Sequence, residues 1–139
     1  MIEKIPGMDD NIKTKNELHT SWDAILRIMN LVDRGFFIIQ ANGLKIVQAN
    51  AHAVKLTGYS IPELVGKDLI GFHLSDEIPL LQLEIQRLEF ERETEIEGIR
   101  ILQKNGFQIP VDIKLARLPG TGEEGPTDYF LAVYRESIS

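Results

Sequence analysis

The chain has 139 residues, 43% of them hydrophobic and 26% charged, with a formal net charge of −6 and no cysteine. That length suits one domain, and an acidic chain without clustered Lys and Arg lacks the footprint of direct nucleic-acid binding. Without thiols there is no disulfide, thiolate metal site, iron–sulfur cluster or cysteine nucleophile.

No apolar run reaches the roughly 20 residues of a membrane span, and residues 1–16 lack the apolar centre of a signal peptide. A cytoplasmic location without membrane association is the expectation. Residues 1–13 mix Pro6, Gly7, Asp9 and Asp10 with lysines and read as a flexible lead. Thr14 and Glu17 then have capping-box spacing and open an amphipathic helix over residues 14–34. Its stripe is Leu18, Trp22, Ile25, Met29 and Val32. Burial is worth about 1.5–3 kcal/mol per large side chain, far more than helix propensity supplies, so this stripe must dock. Its target is either the domain's own sheet or a second copy, and the stripe is the candidate dimer interface.

Asn42-Gly43 lies between the apolar runs 36–39 and 44–49 and predicts a tight two-residue hairpin with positive φ. Asn50 is placed to cap a helix over residues 51–57, and Gly58 to stop it in a left-handed conformation. Pro62 and Gly66 punctuate a further short turn. Ser75-Asp76 predicts the start of a long helix over 76–91, with Asp76 as N-cap and Pro79 in the first turn. Leu81, Ile85 and Leu88 form its inward stripe.

The strand expected over 92–103 loses its alternation at Gly98, the mark of a bulge. Asn105-Gly106 turns the chain into a strand in which Phe107, Ile109, Val111, Ile113 and Leu115 alternate with polar residues, so one face is buried. Residues 119–127 read as a surface loop before the last strand. By contrast, residues 36–39 and 129–134 are apolar at consecutive positions, which predicts strands covered on both faces.

The order hairpin, Asn50, short helix, Leu56-x-Gly58-Tyr59-Ser60, Glu63-Leu64-x-Gly66-Lys67, long helix and three strands resembles a PAS domain. Lys104-Asn105-Gly106-Phe107 and the strand at 129–135 are similar to later parts of that family, so the resemblance spans residues 35–136. It implies an α+β fold, a five-stranded antiparallel sheet with short helices on one face and its first and last strands adjacent. The N-terminal amphipathic helix would cover the other face. The resemblance further implies a sensory or regulatory domain of a signal-transduction protein, such as a two-component system or a regulator of transcription. Its partners would be a second copy and an attached kinase, cyclase or transcription-regulator output domain. Residues 137–139 would begin the linker, and a chain that stops there reads as part of a longer protein. A GAF-like sensor fold is the alternative, against which its greater length and missing Gly-Tyr-Ser segment count.

If that fold holds, the sheet and helices would enclose an apolar volume lined by Phe37, Ile39, Leu56, Tyr59, Leu81, Ile85, Leu88, Ile113, Leu115 and Leu131. Asn50 or Tyr59 could orient a small ligand there. The competing expectation is that these side chains pack the space themselves, with Asn50 a plain cap and Tyr59 a core ring. The chain would then be a ligand-free dimerisation or interaction module. The cofactor is open: the missing cysteine excludes a cysteine-linked flavin or chromophore. Haem-binding PAS domains carry an axial histidine in the long helix. Here residues 76–91 contain none, which argues against haem and leaves His73 as the sole candidate. The run Glu89, Glu91, Glu93, Glu95 and Glu97 fits a solvated face better than a metal site. No nucleophile–base spacing or phosphate-binding glycine loop points to an enzyme.

Overall fold

The computed structural model describes residues 24, 27–118 and 129–137. Expectations for Leu18, Trp22, Ile25 and the loop at 119–127 lie outside them. The described elements are strands β1 (Gly35–Gln40) and β2 (Lys45–Ala49), helices α1 (Ala51–Thr57) and α2 (Ile61–Leu64), and a 3-10 turn (Leu69–Phe72). Helix α3 (Ile78–Arg87) and strands β3 (Glu93–Leu102), β4 (Gln108–Arg117) and β5 (Tyr129–Glu136) follow. The strands form one antiparallel sheet in the order β2-β1-β5-β4-β3.

The two strands expected to be covered on both faces are thus neighbours near the sheet centre. Their register sets Phe37 opposite Ala132 and Tyr134 opposite Gly35, pairing each large side chain with a small one. Gly35 also lets α1 close onto the sheet, because a Cβ there would meet Ala53 Cα and Leu56 Cδ2 at 3.3 Å. Phe37, Ile39, Ile113, Leu115, Phe130, Ala132 and Tyr134 form the inner face with the helices packed over it. The free edge of β2 is closed by the segment after α2, where Ile46 N donates to Lys67 O at 2.9 Å and Gly66 N to Ile46 O at 2.7 Å. Edge pairing of this kind blocks strand addition by another chain.

Several local expectations hold. Asn50 caps α1, and Gly58 ends it at φ 83°. Adding a Cβ at Gly58 would strain that left-handed backbone and press it to 3.4 Å from Lys104 Cβ. Gly58→Ala is therefore expected to cost about 1 kcal/mol, read as a lower thermal midpoint with an unchanged circular dichroism spectrum. The bulge is also present: the β3–β4 register shifts between Ile96 and Ile99, and Gly98 has φ 72°. Asp112 sustains it by accepting from Gly98 N at 3.0 Å.

Other expectations are corrected. Gln40 pairs with Lys45, so the β1–β2 connection holds four residues, and the positive φ angles fall at Gly43 and Leu44. Leu44 is held in its costly left-handed conformation by its carbonyl, which accepts from Leu69 N at 2.9 Å. Helix α3 is shorter than residues 76–91 and starts after Glu77, which makes no side-chain cap. Its carboxylate is engaged elsewhere, accepting from Arg100 N at 2.7 Å and Arg100 Nε at 3.2 Å.

The leading helix ends earlier than residue 34: among the described residues, 24 and 27–29 are helical and 30–34 form turns and bends. Val32 lies beyond the helix and is exposed. Met29, expected on a dimer interface, is only 1% exposed within the single chain and is unavailable to a second copy.

Candidate functional site

Asn50 is a buried joint rather than a simple cap. Its Oδ1 accepts from Ala53 N at 3.0 Å and from Phe36 N at 2.9 Å. Its Nδ2 donates to Met29 O at 2.7 Å and to Arg34 O at 2.9 Å. One amide thereby ties the end of the leading helical turn to β1 and α1. Both of its donors and two acceptor positions are spent inside the protein, so Asn50 does not serve as the polar tip of a ligand pocket.

Around the inner volume, Phe37, Ile39, Leu56, Leu81, Leu88, Ile113 and Leu115 come together as expected, with Ile85 half-buried beside them. Leu131 does not join them. It points to the outer face, while its neighbours Phe130 and Ala132 point inward, because β5 alternates and Ala132 pairs with Phe37. Tyr59 is not a core ring either. It is half-buried at the edge, with Lys67 Nζ 4.5 Å from its ring centroid.

The middle of the volume is occupied by rings. Phe37 meets Tyr134 edge-on with centroids 5.0 Å apart, and Phe72 lies 5.9 Å from Phe37 and 6.3 Å from Tyr134. These aromatic rings pack against one another in the middle of the inner layer. Neither Phe72 nor Tyr134 was marked by the sequence as a lining residue, since neither carries a local periodic signal that separates core wall from core filling.

His73 belongs to this centre. It ends the 3-10 turn, bridges to Ile101 of β3, and its Nε2 lies 2.8 Å from the Tyr134 hydroxyl. The ring is 7% exposed and its Nδ1 has no hydrogen-bond partner. Burial drives its pKa down to about 4, against the upward pull of the Arg100 backbone and the Glu77 charge. Burial likewise pushes the Tyr134 hydroxyl upward. Both groups are therefore neutral at neutral pH, and they link the turn before α3 to the middle strand β5.

At the far side of α1, Lys104 Nζ lies 2.6 Å from Glu63 Oε2, and Lys104 N donates to Thr57 O at 2.9 Å. Glu63 also closes a capping box with Ser60. The Lys104 ammonium, then the Ser60 backbone, hold the Glu63 carboxyl down to about 2. Gln103 Nε2 donates to Leu56 O at 2.8 Å, so the β3–β4 hairpin grips α1 at two points and α2 at a third. Among the described residues no three His, Asp or Glu side chains gather as a metal site, and no helix is long and apolar enough to cross a membrane.

No curated protein matches the chain significantly. Several solved structures share its fold. The PAS domain of a protein from Colwellia psychrerythraea aligns at 20% identity and TM-score 0.73, over 83% of this chain and 95% of that one. A Rhodobacter sphaeroides LOV protein aligns at 19% identity and TM-score 0.72, over 85% and 67% respectively. The PAS domain of an HTR-like protein from Haloarcula marismortui aligns at 18% identity and TM-score 0.65, over 89% and 98%. The PAS domain family model matches residues 25–97, more than half of the chain. With sheet order, helix placement and sequence pattern in agreement, this chain belongs to the PAS domain family, whose members are sensory and signalling modules.

Proposed function

We propose that this PAS domain is a non-enzymatic regulatory module of a cytoplasmic signal-transduction protein. It passes a change in sheet or subunit geometry to an attached kinase, cyclase or transcription-regulator domain. The observation that supports this reading is the outer face of the sheet. Phe36 pairs with Val133 and Ile38 with Leu131, so these four share that face across the two central strands. Ile38 is fully buried, whereas Phe36, Leu131 and Val133 are half-buried. A partly covered apolar patch over central strands suits association with a second copy. Any shift of β5 on this face reaches Tyr134 on the other, because both belong to one strand.

Leu131→Asp tests the reading by sedimentation velocity. Leu131 lies outside the inner core, so the variant should fold, and its self-association should weaken by about tenfold or more. A parent protein that stays monomeric at micromolar concentration, or a variant that associates equally well, would sink the dimer relay. The ring-filled centre favours the second reading, a ligand-free interaction module, over a central ligand pocket.

A further inference from the structure

The inner layer is not sealed at every point. Where the C-terminal end of α3 approaches the ends of β4 and β5, a half-open cleft of about 350 Å³ remains. Its apolar wall is formed by Ile85, Leu88 and Phe130, and Ala41 leaves room beside them. Arg117 and Glu89 bring opposite charges to the same cleft. Among the described residues neither side chain has an ion-pair partner, unlike Arg87, which is held between Glu84 and Glu91.

This arrangement matches a ligand with three features: a carboxylate for the Arg117 guanidinium, an ammonium for Glu89, and a short apolar side chain for the wall. The negative end of the α3 dipole adds to the preference for a cation near Glu89. The volume lies near the lower end of the ~300–1,000 Å³ typical of small-molecule sites, which suits a single amino acid. We propose that this cleft binds a free apolar amino acid of about the size of leucine. The site is separate from both the ring-filled centre and the outer sheet face. It deepens the regulatory reading by giving the module a stimulus, and it rests on that reading only for its consequence.

The test is a titration of ¹⁵N-labelled protein with L-leucine, with 4-methylpentanoate, which lacks the amine, and with 3-methylbutylamine, which lacks the carboxylate. L-Leucine should give saturable shifts at the amides of Leu88, Arg117 and Phe130, and each analogue should bind at least about tenfold more weakly. Arg117→Gln should weaken L-leucine by a similar factor while leaving the rest of the spectrum in place. Three results would overturn the proposal: no saturable shift at millimolar L-leucine, equal binding of the acid alone, or shifts confined to residues around Phe37 and Tyr134. Sedimentation of the same samples decides the dimer relay separately, so either idea can fail alone.

Discussion

Asn50→Ala is expected to lower the unfolding free energy by about 3–5 kcal/mol, a large share of the stability of a domain of this size. Loss of an N-cap alone costs about 1 kcal/mol. Here the same truncation also strands Phe36 N and the carbonyls of Met29 and Arg34 at a position that is 2% exposed. These losses are not additive, because water entering the gap recovers part of them, so the sum of single-bond values overstates the effect. Urea denaturation with an unchanged slope would read the loss directly, and a change below about 1 kcal/mol would mean the joint contributes no more than a cap. Asn50→Asp separates the two halves of the joint. The carboxylate still accepts from both N–H groups but faces the Met29 and Arg34 carbonyls as an anion. That variant should be weakest at neutral pH and partly recover on acidification, since protonation restores one donor.

The second large effect concerns His73. Its folded pKa of about 4 lies below the ordinary value of 6.5, so the unfolded chain takes up the proton first. Between those two values the unfolded state binds more protons, and stability rises with pH. The contribution of His73 is therefore fully present above pH 6.5 and is lost as pH falls towards 4. Its ceiling is roughly 3 kcal/mol, because each tenfold change in proton affinity is worth about 1.4 kcal/mol. Carboxylates also weaken the fold in acid, so the informative quantity is a difference. His73→Phe should show a shallower decline of unfolding free energy across this window than the parent. Parallel declines would mean that His73 is protonated in the fold without penalty.

The half-charged state has a structural consequence. An imidazolium at His73 would sit between the Phe72 and Tyr134 rings, with the Tyr134 hydroxyl and the Arg100 backbone as its polar neighbours. The charged groups near it are Glu77, at the start of α3, and Arg100, on β3, and these two are engaged with each other at 3.2 Å. Acidification is thus expected to loosen the contact between the 3-10 turn and β5 before the sheet itself melts.

Much of the local architecture was legible in the residues. The Asn50 cap, the Gly58 stop, the Gly98 bulge and the inward stripe of Leu81, Ile85 and Leu88 depend on conformations settled within a few positions. The central place of 36–39 and 129–134 was equally readable, because strands in the middle of a sheet show no polar alternation, although their outer face is only partly covered at Phe36, Leu131 and Val133. That same property hid the phase of β5. With every position apolar, nothing in 129–134 says whether Phe130 or Leu131 points inward, and the register against β1 decides it.

The polar partners were hidden for a related reason. Asn50 bonds to groups up to 21 residues away, and His73 to a hydroxyl 61 residues away. Glu77 gave up a cap for Arg100, 23 residues on. Sequence by itself determined the order of elements, their caps and breaks, and the family they assemble into, since backbone preference and hydrophobic periodicity act over short separations. Only the tertiary structure decided which face Leu131 takes, that Met29 is buried in its own chain, and that rings fill the centre. Those outcomes follow from strand register and close packing, which bring together groups that no short stretch of chain contains.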